Sequence, residues 1–153
     1  MNSFPESKNA PGRLHDLYLS RRVVHHAIEA QYKIIQKIAE NGSCVIVGRA
    51  ADYVLRDRKD VVRIFVHAPL EYRIGRVMEV YGDTRTEAER NILHSDKARA
   101  SFYKYISGLK WGEKEQYDLV IDSSVGIENS AEQILWYVEE NNAVVESVHT
   151  SGG

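Results

Sequence analysis

The chain of 153 residues is poor in cysteine, proline and long apolar runs. Its single cysteine, Cys44, excludes an internal disulfide, and its place inside an apolar stretch suits a packing role in a reduced cytoplasm. No apolar run approaches the roughly 20 residues that a membrane-spanning helix needs. The opening "MNSFPESKNAPGR" lacks the basic-then-apolar order of a signal peptide. A formal charge of −2, with no dense block of Lys or Arg, argues against a general binder of nucleic acid or acidic membrane. Two phosphate-loop signatures are also missing. There is no GxxxxGK followed by Ser or Thr, and no GxGxxG before a helix. HExxH is absent too, and the His25/Glu29 spacing of four stands without a second ligand pair, so no metal site is expected.

What is present is a soluble composition, 43% hydrophobic and 27% charged, at a length that suits one domain. Residues 1 to about 13 are polar and hold two of the three prolines, so a loose leader is expected over residues 1–20. Val24, Ala27, Ile28, Ile35 and Ile38 recur at helical spacing and predict a helix from Arg21 to Glu40. Gln31 falls on the same stripe and must find a hydrogen-bond partner or stay at the edge of the core. Ser43–Val47 is apolar without alternation, the pattern of a strand covered on both faces.

"VVRIFVHA", Val61 to Ala68, predicts a second buried strand, and Pro69 suits the first turn of the helix that follows. Leu70, Ile74, Val77, Met78 and Tyr81 would be its buried face. Thr84 with Glu87, or Thr86 with Glu89, predicts a capping box opening a long helix toward Ile106. "SGLKWGE" interrupts it, "YDLVIDSS" predicts a third strand, and "IENSAEQILWYVEE" a last amphipathic helix. Beyond Asn141 a tail is expected, residues 142–153.

This order is that of an α/β protein with parallel strands and helical crossovers. Ligands in such sheets bind at the carboxyl ends of the strands. Gly48-Arg49, His67-Ala68 and Asp122-Ser123-Ser124 would then share one rim. Glycine lets a bound group approach the backbone, and arginine offers a fork for phosphate. The plainer reading of Arg49 is a solvent-facing residue at a strand end. Arg73 and Arg76 lie on one flank of their helix, where Glu71 and Glu79 could equally make them a solvated face. Asp96, Arg99 and Tyr103 stand at i, i+3 and i+7 on one face of the long helix. Arg90, Lys97, Lys104 and Lys110 make that segment basic within a mildly acidic chain. A helix-loop closing over phosphates has this character, and so has a charged surface helix.

"CVIVGRAADYVLRDR", "VVRIFVHAPLEYRIGRVMEVYG", "DKARASFYKYISGLKWG" and "YDLVIDSS", in this order between about Ala30 and Glu139, closely resemble the cytidylate-kinase-like family. That family belongs to the P-loop nucleoside monophosphate kinases. The resemblance implies a three-layer, parallel-sheet α/β fold over residues 21–141, with a lid-like segment at about 83–113. It implies phosphoryl transfer from ATP, with Mg²⁺, to a pyrimidine nucleoside monophosphate such as CMP or dCMP, in the cytoplasm. It leaves a homo-oligomer open.

The resemblance also implies roles. Gly48 and Arg49 would hold the acceptor phosphate. Arg73 and Arg76 would match arginines leading into the lid, Arg73 on the nucleotide and Arg76 in catalysis. Asp96 and Arg99 would orient the cytosine nucleotide and the transferring phosphate. Ser123 and Ser124 would lie in the loop that passes the adenine of ATP. Where the family carries Asp-Gly-Arg-Asp, this chain has Val47 and Ala50 at both aspartate positions, and Asp52 is the candidate to take their place. The family's opening strand and glycine-rich loop have no counterpart in the sequence. An N-terminally truncated member lacking the central strand is therefore expected, active only when that segment is supplied. The alternatives are a non-catalytic remnant that binds a nucleotide or a partner protein, and an α/β module without a ligand.

Overall fold

The computed structural model describes the backbone of residues 11–150, and the side chains of residues 21–141. It divides into two compact units, the first ending at Leu55 and the second beginning at Arg56.

The first unit is built on α1, Pro11–Glu40, and α2, Ala51–Val54. Pro11 stands at the first helical position, where its missing N–H costs nothing. The helix therefore starts ten residues ahead of the Arg21 expected from periodicity, and only residues 1–10 of the expected leader lie outside the described residues. On the predicted stripe, Ile35 is buried and Ile28 and Gln31 are half-buried, while Val24 and Ile38 are exposed. Spacing places these residues on one face, but it does not say how much of that face is covered.

Ser43–Val47 is the largest departure from expectation. It forms no strand, and Val45 and Val47 are 93% and 87% exposed. A strand exists through its ladder, and among the described residues this segment pairs with no strand. A buried backbone group left unpaired would cost about 1–3 kcal/mol. Standing in water, the segment avoids that penalty at the expense of leaving its valines wet.

The second unit carries a sheet of two parallel strands, β1 (Ile64–His67) and β2 (Leu119–Asp122). Ile64 pairs with Leu119, Phe65 with Val120, Val66 with Ile121 and His67 with Asp122. Parallel neighbours need a long crossover, and here it consists of α3 (Leu70–Tyr81) and α4 (Arg85–Ser107). Pro69 is the N-cap of α3 and Gly82 its C-cap. Thr84 makes the predicted capping box. Its side chain accepts from the Glu87 amide, and the Glu87 carboxylate accepts from the Thr84 amide at 3.0 Å. The Thr86/Glu89 alternative would start the helix two residues later and is not used.

The α3–α4 pair closes on a small core of Ile74, Ala88 and Ile92, with Leu70 and Val77 packed against it. Met78 and Tyr81, expected on that face, are exposed, Tyr81 by 76%. Ile121 of β2 is 1% exposed and anchors the sheet. The last helix, α5 (Ile127–Thr150), continues beyond Asn141 through most of the expected tail. Residues 151–153 lie outside the described residues. No helix among the described residues is long and apolar enough to cross a membrane.

Candidate functional site

At Gly48 the chain turns through three consecutive left-handed residues, Gly48 at φ +73°, Arg49 at +58° and Ala50 at +53°. The Ala51 amide donates to the Gly48 carbonyl at 3.1 Å and closes the turn around Arg49 and Ala50. Glycine takes this conformation freely; arginine and alanine each pay about 1–3 kcal/mol for it. Such strain persists only where neighbours hold it. One support comes from α1, where Gln31 Nε2 donates to the Arg49 carbonyl at 3.3 Å. This is the partner that the polar residue on an apolar stripe requires. The Arg49 side chain is exposed and makes no ion pair among the described residues. Asp52 lies in the first turn of α2, half-buried. The turn is not a strand end, since Ser43–Val47 is not a strand.

In the second unit Arg73 of α3 and Asp96 of α4 form a two-pronged pair, Nη1 to Oδ1 at 3.1 Å and Nη2 to Oδ2 at 2.7 Å. Arg99, one turn on from Asp96, donates to the same Oδ1 at 3.1 Å. Two guanidinium groups thus share one carboxylate and leave the cluster with a net positive charge. Arg73 Nε is buried and has no hydrogen-bond partner among the described residues. Arg76 is exposed and forms no ion pair among them. Tyr103, which spacing places with Asp96 and Arg99, is buried, and its hydroxyl donates to Gln116 Oε1 at 2.9 Å. It fastens the end of α4 to the following loop.

At the carboxyl ends of the strands His67 and Asp122 stand side by side, as the expected rim requires of them. Ser123 Oγ donates to the His67 carbonyl at 3.2 Å, and the Ser124 amide donates to Asp122 Oδ1 at 2.9 Å. Hydrogen bonds from the Ser124 side chain and amide, with a smaller charge effect from His67, hold the Asp122 carboxyl below its usual range. Both serines are thus held by the strand ends beside which the sequence places them.

The amino ends of the strands carry a pair that sequence reading did not single out. Asp118 accepts from the Arg63 amide at 2.7 Å, from Arg63 Nε at 3.0 Å and from Nη2 at 2.9 Å. Partial burial pushes the Asp118 carboxyl upward, but the Arg63 hydrogen bonds and charge outweigh it and leave it below the ordinary range. A separation of 55 residues hides such a pair from any local pattern.

The reactants of phosphoryl transfer make different demands on these residues. Exposed arginines can receive an acceptor phosphate. Donor phosphates need a nest of backbone amides with a lysine, and no such loop occurs among the described residues. Magnesium in these reactions rides largely on the nucleotide phosphates and water. No group of three or more His, Cys, Asp or Glu able to hold a metal occurs among the described residues. The described residues thus offer arginines to an acceptor phosphate and hold no loop for donor phosphates.

Comparison with known proteins gives a consistent picture. A solved structure, an uncharacterized protein from Eubacterium ventriosum, matches with a TM-score of 0.71 at 28% identity, covering 74% of this chain and 65% of that one. A cytidylate kinase from Methanopyrus kandleri is 33% identical over 108 residues, 65% of this chain and 56% of the relative. The chain thus spans less than two thirds of the length of either. The family model for the cytidylate kinase-like family matches residues 4–125, which include the Gly48 turn, the Arg73–Asp96–Arg99 cluster and both strands. This chain belongs to the cytidylate kinase-like family.

Proposed function

We propose that the Gly48–Arg49 turn holds the phosphate of a pyrimidine nucleoside monophosphate, CMP or dCMP, and that the chain serves phosphoryl transfer from ATP to that acceptor. The observation that carries this reading is the turn itself. A strained backbone presents an exposed arginine that has no counter-ion among the described residues. Its guanidinium can take two phosphate oxygens at once, and Gly48 leaves room for them beside the backbone. Membership of the family supports the nucleotide class.

In the second unit Arg73, Arg76 and Arg99 are the cations available to a nucleotide, with Asp96 keeping two of them side by side. Asp52 takes the ribose or base in place of the residues at 47 and 50. Ser123 and Ser124 border the adenine. Phosphoryl transfer also needs a glycine-rich donor loop, which is not among the described residues.

A second reading, non-catalytic binding of a nucleotide, is favoured by the lack of a donor loop among the described residues. A coupled ADP-release assay with CMP, dCMP and UMP separates the two. Turnover of CMP or dCMP supports the transferase reading, and binding of CMP without turnover supports the binding reading.

A further inference from the structure

The geometry points to Gln31 as the positioning residue of the Arg49 turn, a role that rests on the phosphate reading of that turn. Arg49 and Ala50 are the two residues other than glycine with positive φ among the described residues, and they are adjacent. A turn of this hand favours glycine or asparagine at its centre. Here the sequence offers neither, so the conformation must be imposed from outside the turn. The Ala51-to-Gly48 hydrogen bond closes the turn but would form as well in a turn of opposite hand. What distinguishes the hand is where the central carbonyl points, and the Arg49 carbonyl is the one that Gln31 Nε2 reaches, from a helix 18 residues upstream.

Gln31 is half-buried on the same helix face as Ile28 and Ile35, so its amide is delivered by a packed element. With the carbonyl held, the Arg49 side chain departs from a fixed backbone and is preorganised for an anion. Released, Arg49 and Ala50 relax toward negative φ, and the guanidinium loses its aim. Gln31 touches no substrate; it acts through Arg49.

Two isosteric variants test this. Gln31→Met keeps the length and removes the donor, and Gln31→Glu replaces the donor with an acceptor. Lys33→Met, two residues on at an exposed site of the same helix, is the control. The first readout is NMR: strong intraresidue Hα–HN contacts and the carbon shifts of left-handed residues at Arg49 and Ala50. Both Gln31 variants are expected to lose this signature while α1 keeps its helical shifts, and Lys33→Met is expected to retain it. The second readout is calorimetry with CMP against cytidine. The Gln31 variants should weaken CMP roughly five- to tenfold, the scale of one hydrogen bond, and leave cytidine unchanged.

Retention of the signature in either Gln31 variant overturns the proposal, as does its equal loss in Lys33→Met. If the wild-type chain binds CMP no better than cytidine, the phosphate reading falls while the NMR comparison still decides the role of Gln31.

Discussion

Arg63 and Asp118 show how much a single pair can carry in a sheet of two strands. Three hydrogen bonds converge on one carboxylate just before the strands begin. The Asp118 and Leu119 amides donate in turn to the Arg63 carbonyl. Because the folded carboxyl sits below its ordinary value, its contribution is complete above about pH 4. It is lost as pH falls through the folded value. Asp118→Asn should cost about 1 kcal/mol at neutral pH, after discounting for the part-exposed arginine. The difference from wild type should narrow at acid pH, and urea titrations at pH 7 and pH 3 measure both. At Arg73 the cost has another origin. Arg73→Met leaves Asp96 with Arg99 as its one remaining partner among those described and should destabilise by roughly 1–2 kcal/mol. Asp96→Asn keeps shape and one acceptor and should cost less, which thermal melts of the two variants compare.

At the scale of elements, caps and turns hold what the sequence says plainly. Pro69, the Thr84/Glu87 box and the glycines after α3 and α4 are local devices; the box sits where its residues predict, and Pro69 stands one position ahead of the expected first turn, as the N-cap. Thr84→Ala should cost about 1 kcal/mol, read as a loss of stability by circular dichroism. The loop after α4 shows a longer-range device. Gly112 has φ +80°, and a Cβ there would stand 2.9 Å from Phe65 Cζ. Phe65 also meets Trp111 edge-on at 5.6 Å and Tyr117 at 4.9 Å. Gly112→Ala should destabilise by about 1–3 kcal/mol through backbone strain and displaced aromatic packing. Trp111 fluorescence should shift with it, and unchanged emission at full stability would mean the ring cluster is loose. Burial faces were less legible than caps. The spacing of Val24, Ile38, Met78 and Tyr81 predicts helices correctly but cannot reveal whether another element arrives to cover them.

At the scale of the whole molecule, the order of elements from Val61 onward and the parallel hand of their two strands were legible, and the state of Ser43–Val47 was not. Ser43–Val47 has the composition of a buried strand and stands in water, because strand formation is a property of two segments and composition describes one. The Gly48–Arg49 turn was visible as a candidate anion site from its residue types alone. The left-handed run and its Gln31 tether were not, since both depend on the approach of a residue 18 positions away. Val47 and Ala50 are uncharged and leave Arg49 as the charged residue of the turn. Phosphate binding at this turn depends on that arginine, and calorimetry of CMP and cytidine against the wild-type chain and Arg49→Ala tests this dependence most directly. Wild type is expected to prefer CMP over cytidine, and Arg49→Ala to lose roughly tenfold or more in CMP affinity, with cytidine unaffected. Equal CMP affinity in the two proteins would contradict it.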